Sequence, residues 1–252
     1  MIAGGLTTSG SSTGAVVLID PSTGNQTSLP SLATATHDAG GALIGNDIYV
    51  FGGGESTTTN LVQRIGPNGS MKAGTLPQPR SDLSVAVADG KTIIVGGYNG
   101  SRLLPDVLST TDGTHFTTFA SLPEPLRYAA VAPTGSTVYV LGGTNGSTDS
   151  SDVQSIDVTT GKAAIIGHLP ERLSHAAAAS IGSEVWLFGG RVRGAASRAI
   201  YRFDPATRTA TSAGSMPAAV SDAAAVVVGD VTYIIGGETS GPHNTVIGCA
   251  LS

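Results

Sequence analysis

The chain has 252 residues, 35 of them glycine, with only 12% charged residues and a net charge of −5. That balance excludes a general nucleic-acid or anionic-membrane binder, which needs a basic surface. The single cysteine, Cys249, excludes an intrachain disulfide and a multi-cysteine metal site, and it leaves the redox compartment open.

The first element is the short apolar strand MIAGGL, ending in Gly4-Gly5. VVLIDPSTG follows as a strand running into an Asp-Pro and Thr-Gly turn, and TSLP as a weaker strand closed by proline. Then comes IYVFGGG, an apolar strand ending in Gly52-Gly53, and the same order of pieces returns. AGTLP closes that period. SVAVADG opens the next, leading to IIVGG with Gly96-Gly97, and FASLP closes it. VYVLGG (Gly142-Gly143), VQSIDVTTG and IIGHLP form the fourth set. HAAAASIG, VWLFGG (Gly189-Gly190), IYRFDPATR and SAGSMP form the fifth. YIIGG (Gly236-Gly237) and NTVIGCALS end the chain.

The diglycine pairs are spaced by 48, 44, 46, 47 and 47 residues, a period that marks a repeat architecture. Each period holds a small-residue strand, a β-branched or aromatic strand ending in Gly-Gly, a loop of small polar residues, a third strand with a turn, and a fourth strand ending in Leu-Pro or Met-Pro. Proline suits that last strand because an outer edge can spare a ladder donor. No stretch shows a 3.6-residue period, so the fold is all-β. Four antiparallel strands repeated radially describe a propeller.

With these residues in view, the chain resembles the Kelch-repeat β-propeller family, whose four-stranded blade carries Gly-Gly at the end of its second strand. The tryptophan usual in the family's fourth strand is missing, and Trp186 stands in a second strand instead. The expectation is one domain, residues 1–252, built as a six-bladed Kelch-type propeller of four-stranded antiparallel blades. The first blade lacks its inner strand and the last its outer one. That predicts either a piece of a longer protein or an unusual closure, with self-association through the incomplete blades as an alternative.

Interblade loops and the loops after Gly-Gly share one face of such a disc, around the mouth of the central channel. In Kelch-like propellers that face commonly binds the ligand, which the resemblance implies here. Fourteen residues before each first glycine stand Asp38, Asp82, Tyr128, His175 and Asp222, preceded by His37, Ser81, Arg127, Ser174 and Ser221. Equal intervals place the first five as a ring at one height. They are read as strand caps satisfied by their neighbours, or as a ring that binds a ligand's polar head or a cation. Asp38, Asp82, His175 and Asp222 are the candidate ligands, with calcium suited to the oxygens and a transition metal to the imidazole. Arg80, Arg127, Arg172, Arg102, Arg191 and Arg193 are expected as a basic rim suited to carboxylates, with Tyr98 and Tyr128 as stacking surfaces.

The function expected is a binding module whose loop-rich face meets a protein or glycan. The alternative is a sugar-modifying enzyme of the sialic-acid mutarotase type, using Glu171, Arg172 and His175. A copper-radical oxidase of the galactose-oxidase type fits less well, because Cys249 lies apart from any matching tyrosine motif. Nucleophilic hydrolysis finds no support: Ser174 and His175 are neighbours, and strand neighbours point to opposite faces. No apolar run approaches the roughly 20 residues of a membrane span. No resident cofactor is expected beyond such a cation. Ten arginines against three lysines, with abundant alanine and glycine, suit a bacterial source, and the expectation is a secreted, periplasmic or envelope-associated domain.

Overall fold

The computed structural model describes residues 1–242 and 245–250. It is all-β, with six antiparallel sheets in a propeller arrangement. Blade 1 has the strands Ile2–Ala3, Val16–Ile19 and Gln26–Leu29. Blade 2 has Gly40–Ile44, Asp47–Phe51, Leu61–Gly66 and Gly69–Thr75, and blade 3 has Ser84–Ala88, Lys91–Val95, Asp106–Thr110 and Thr117–Ser121. Blade 4 has Ala130–Thr134, Thr137–Leu141, Asp152–Asp157 and Ala163–His168. Blade 5 has Ala177–Ile181, Glu184–Phe188, Ala199–Asp204 and Thr209–Ser215, with a small hairpin of Arg191–Val192 and Ala195–Ala196 after its diglycine. Blade 6 has Ser221–Val228, Val231–Glu238 and Val246–Ala250. Blades 2 to 5 therefore have four strands each, and the two terminal blades three, as the sequence pattern predicts.

The turns follow from their residues. Asp89 and Gly90 both hold positive φ, 49° and 70°, the geometry of a tight hairpin between Ser84–Ala88 and Lys91–Val95. At the outer hairpins a carboxylate closes the turn. Asp157 Oδ1 accepts from the Thr159 and Thr160 amides, and Asp204 Oδ1 from the Ala206 amide.

Why each second strand ends in two glycines is visible at Gly96-Gly97. A Cβ on Gly96 would lie 2.5 Å from the Leu126 carbonyl oxygen of the following loop, and one on Gly97 2.6 Å from the Ser81 oxygen of its own blade. Both residues also hold positive φ, 64° and 98°. This close approach lets the second glycine reach the next blade. Gly5, Gly53, Gly97, Gly143 and Gly190 donate their amides to Thr36, Arg80, Leu126, Leu173 and Val220 respectively, at 2.8–2.9 Å.

The core is divided among the blade interfaces. One apolar cluster joins blades 1 and 2 through Val16, Leu32, Val50 and Ile65. Another joins blades 2 and 3 around Phe51, Leu83 and Ile94, and a third joins blades 3 and 4 around Ile93, Val138 and Ile156. Blades 4 and 5 meet around Leu141, Leu173 and Phe203, and blades 5 and 6 around Phe188, Met216 and Ile234. Among the described residues no such cluster joins blade 6 to blade 1.

Buried side chains pin the interblade loops. Gln63, 2% exposed, donates to the Thr34 carbonyl and accepts from the Thr34 amide, and the fully buried Gln154 treats Glu124 the same way. Each glutamine follows a bulge, at Val62/Gln63 and Val153/Gln154, which turns it towards the loop. The loops carrying the ring residues are thereby fixed on rigid sheets.

Candidate functional site

Each ring residue begins an inner strand, and each is held there in the same unusual way. Asp38, Asp82, Tyr128, His175 and Asp222 all adopt left-handed backbone, with φ of 51°, 57°, 53°, 56° and 57°. Such geometry is uncommon outside glycine. The residue before each pairs with the one after its diglycine: His37 with Gly54, Ser81 with Tyr98, Arg127 with Thr144, Ser174 with Arg191, and Ser221 with Glu238. A second relay then links the ring. The amide of Asp82 donates to the carbonyl of Asp38, Tyr128 to Asp82, His175 to Tyr128 and Asp222 to His175, at 2.9–3.0 Å.

The side chains meet accordingly. The Tyr128 hydroxyl donates to Asp38 Oδ2 at 3.1 Å, and Arg127 donates to Asp82 Oδ2 at 3.1 Å. The His175 ring stacks on Tyr128, and its Nε2 lies 3.8 Å from Asp222 Oδ1. Arg191 bridges Asp222, at 3.2 Å, and Glu238. His37 stands 3.8 Å from Asp38 and hydrogen-bonds Ser12 through Nδ1. The structure thus brings all five ring residues into one continuous line around the mouth. Among the described residues no three of His, Cys, Asp and Glu converge as a metal centre would require.

Crowding shifts the charges. Burial and then the Asp82 charge push the Asp38 carboxyl above its ordinary value. Burial raises Asp222 to about 7 against the pull of Arg191 and the Ser221 hydroxyl. Burial, helped by the Arg191 and Arg127 charges, lowers His175 to about 4, so its imidazole is neutral at pH 7. The Tyr128 phenol is pushed upward, chiefly by burial and by Asp38.

The arginine rim is largely used inside the molecule. Arg80 is not on the rim: it is fully buried and donates to the Gly96 and Asp106 carbonyls and to Asp106 Oδ2 at 2.5 Å. Its guanidinium reaches back into blade 3, where a carboxylate and two backbone oxygens replace water. Arg127 lies against both Tyr98 and Tyr128, 5.1 and 5.5 Å from the ring centroids, so these tyrosines stack on a guanidinium of the same chain. Arg172 donates to the Asp149 carbonyl. Arg102 and Arg193 are exposed.

One expectation fails. Ser174 and His175 do not point apart: the hydroxyl and Nδ1 are 2.8 Å apart. The left-handed φ at His175 breaks the two-residue alternation of a strand, so consecutive side chains turn together. With Asp222 this outlines a Ser-His-Asp set, yet Ser174 is only 2% exposed and the imidazole is a weak base. A nucleophile needs both access and a competent base. Glu171 accepts from the Tyr201 hydroxyl, and His175 is paired elsewhere.

Between blades 2, 3 and 4 the mouth opens as a cleft of about 220 Å³. His37, Asp38, Glu55, Asp82, Tyr98 and Arg127 are among its lining residues. Small-molecule pockets usually run from about 300 to 1,000 Å³ and are mainly apolar. This one is smaller and polar, with three acids facing one arginine.

Comparison with known proteins agrees with this geometry. The family model for the Kelch motif matches residues 125–162 and 172–217, stretches centred on blades 4 and 5. Those two stretches match the Kelch motif, and the whole chain is a six-bladed β-propeller. The chain is similar to the "Kelch repeat and BTB domain-containing protein 1" of cowpox virus (strain GRI-90 / Grishak) and of vaccinia virus (strain Copenhagen). Each is 39% identical over 69 residues, 27% of this chain and 12% of the viral protein's length. The propeller fold is also similar to the solved structure of YjhT, with a TM-score of 0.85 and 16% identity, over 99% of this chain and 94% of that one.

Proposed function

We propose that this Kelch propeller is a binding module that presents its channel-mouth face to a protein or glycan partner. Kelch propellers are typically protein-interaction modules, which supports the protein reading. The observation that carries the proposal is the state of the mouth. Its polar groups are fixed on rigid sheets and paired among themselves, while the cleft is small and polar. Such a surface reads a projecting partner group more readily than it shelters a reaction, because nucleophile and base are buried or weakened.

The charges refine the partner. At the cleft Arg127 is neutralised by Asp82, leaving Asp38 and Glu55 in excess. A basic or hydroxyl-rich group complements that face better than an acidic one.

The test compares faces. Proteins captured by the wild type are quantified against those captured by Tyr98→Ala and Glu55→Lys at the cleft, and by Leu43→Asn on an exposed inner-strand position outside it. A sugar panel is followed in parallel by NMR shifts. Partners lost only with the cleft variants support the proposal, and partners lost equally with Leu43→Asn refute it. Turnover of a sugar by the purified protein, abolished by Glu171→Gln, would replace it with the enzyme reading.

A further inference from the structure

We propose a second binding site on the side of the disc opposite the mouth, in a cavity between the inner hairpins of blades 5 and 6, for a small amine with an apolar body.

The cavity arises from a break in the repeat. Nine residues before the first glycine of each pair stand Leu43, Val87, Pro133, Ser180 and Val227, each next to the last residue of an inner strand, at the end away from the mouth. In blade 5 this residue is a serine whose hydroxyl donates to the Pro133 carbonyl of blade 4, which ties the two inner strands together. In blade 6 it is Val227, which has no hydroxyl to offer Ser180. The joint between blades 5 and 6 opens there as a cavity of about 290 Å³, larger than the 220 Å³ cleft at the mouth. Ser180, Ile181, Val227, Asp230 and Thr232 are among its lining residues. Val227 and Thr232 are cross-strand partners, and alternation from Ala223 and Ala225 puts both on the face turned to blade 5.

The polar lining is of one kind. Asp230 is exposed and makes no ion pair or hydrogen bond among the described residues. Thr232 is only 2% exposed, yet its hydroxyl has no partner among the described residues. A hydroxyl shut away from water without a partner is destabilising, and a ligand that bonds it relieves this. The Ser180 hydroxyl has given its proton to Pro133 and can only accept. No lysine, arginine or histidine lines the cavity. A carboxylate and two hydroxyl oxygens thus face a ligand with acceptors in excess, beside the apolar side chains of Ile181 and Val227. An alkylammonium matches both halves, because it donates three hydrogen bonds, carries the charge opposite to Asp230, and has a methylene chain for the apolar wall. An anion would meet Asp230 unpaired. The inference does not depend on what the mouth binds.

The test titrates the full chain, labelled at its isoleucine, valine and threonine methyls, with n-butylammonium at pH 7, followed by NMR. Saturable shifts at Ile181, Val227 and Thr232 are expected in the millimolar range, with none from butyrate. Asp230→Asn, at an exposed position, should weaken binding about tenfold, and Thr232→Val about threefold. Ethylammonium, with a shorter chain, should bind about fivefold more weakly. The proposal is overturned if n-butanol binds as tightly as the ammonium, if the shifts never saturate, or if Asp230→Asn binds like the wild type. Shifts confined to Thr57 and Thr58 would also overturn it, because those residues line the mouth cleft.

Discussion

The imidazole of His175 lies on the phenol of Tyr128, with ring centroids 4.0 Å apart and planes inclined by 21°. The two residues stand 47 positions apart in sequence and share one left-handed backbone conformation. Their contact joins the acid pair Asp38 and Asp82 on one side to Asp222 and Arg191 on the other.

The phenol has a second task that can be separated from stacking. Tyr128→Phe keeps the ring against His175 and removes the hydroxyl that donates to Asp38. The loss should cost about 1–2 kcal/mol in urea unfolding and raise the Asp38 carboxyl further, as followed by NMR titration. An unchanged Asp38 titration would show that the bond contributes nothing.

Protonation at the mouth acts in two opposed directions. Asp222 sits at about 7 in the folded chain, above its ordinary 3.8, so its stabilising effect is complete below the lower value and is lost as pH rises towards the upper one. His175 sits at about 4, below its ordinary 6.5, so stability is lost as pH falls through that window. Asp222→Asn removes only the first effect. The variant should therefore gain on the wild type as pH rises from 4 to 7, widening the difference in Tm by about 4 °C or more. A difference independent of pH would refute the assignment.

Diglycine positions and turn glycines should respond unequally. Gly97→Ala sets a Cβ 2.6 Å from the Ser81 carbonyl in addition to imposing positive φ, and should cost about 3 kcal/mol. Gly24→Ala meets nothing within 4 Å and carries only the φ penalty, about 1 kcal/mol. Denaturant midpoints for both variants check the contrast.

Arginines of similar appearance in sequence should differ as well. Arg80→Ala strands the Asp106 carboxylate and leaves buried carbonyls unpaired, for a loss of about 3–5 kcal/mol. Arg64, half-exposed beside Asp47 at 3.4 Å, should cost less than about 1 kcal/mol when changed to Ala. Equal losses would mean that Arg80 works in water like Arg64.

The diglycine interval alone located the blades, and counting back from it found Asp38, Asp82, Tyr128, His175 and Asp222, because equal separations on equal strands give equal heights. Left-handed backbone is commoner in Asp and His than in most residues but is not dictated by them, so the Ser174–His175 contact is not legible in the sequence. The burial of Arg80 is hidden from the sequence for a related reason. Its loop position suggested solvent, whereas its partner Asp106 lies 26 residues on, in a strand whose approach only the folded disc creates. The carboxylates that neutralise Arg127 and Arg191 are likewise 31 to 47 residues away.

Each blade leans only on its two neighbours through a strip of apolar residues and a pair of amide relays. In a circle with every joint made, no blade is a place where unfolding starts more easily than elsewhere. Among the described residues no such joint links blade 6 to blade 1, so melting of this chain should fray inward from them. The amides of Val138, Val153 and Val185 should outlast those of Val17 and Ile247 in exchange, in the manner of a stack of tiles rather than a wheel.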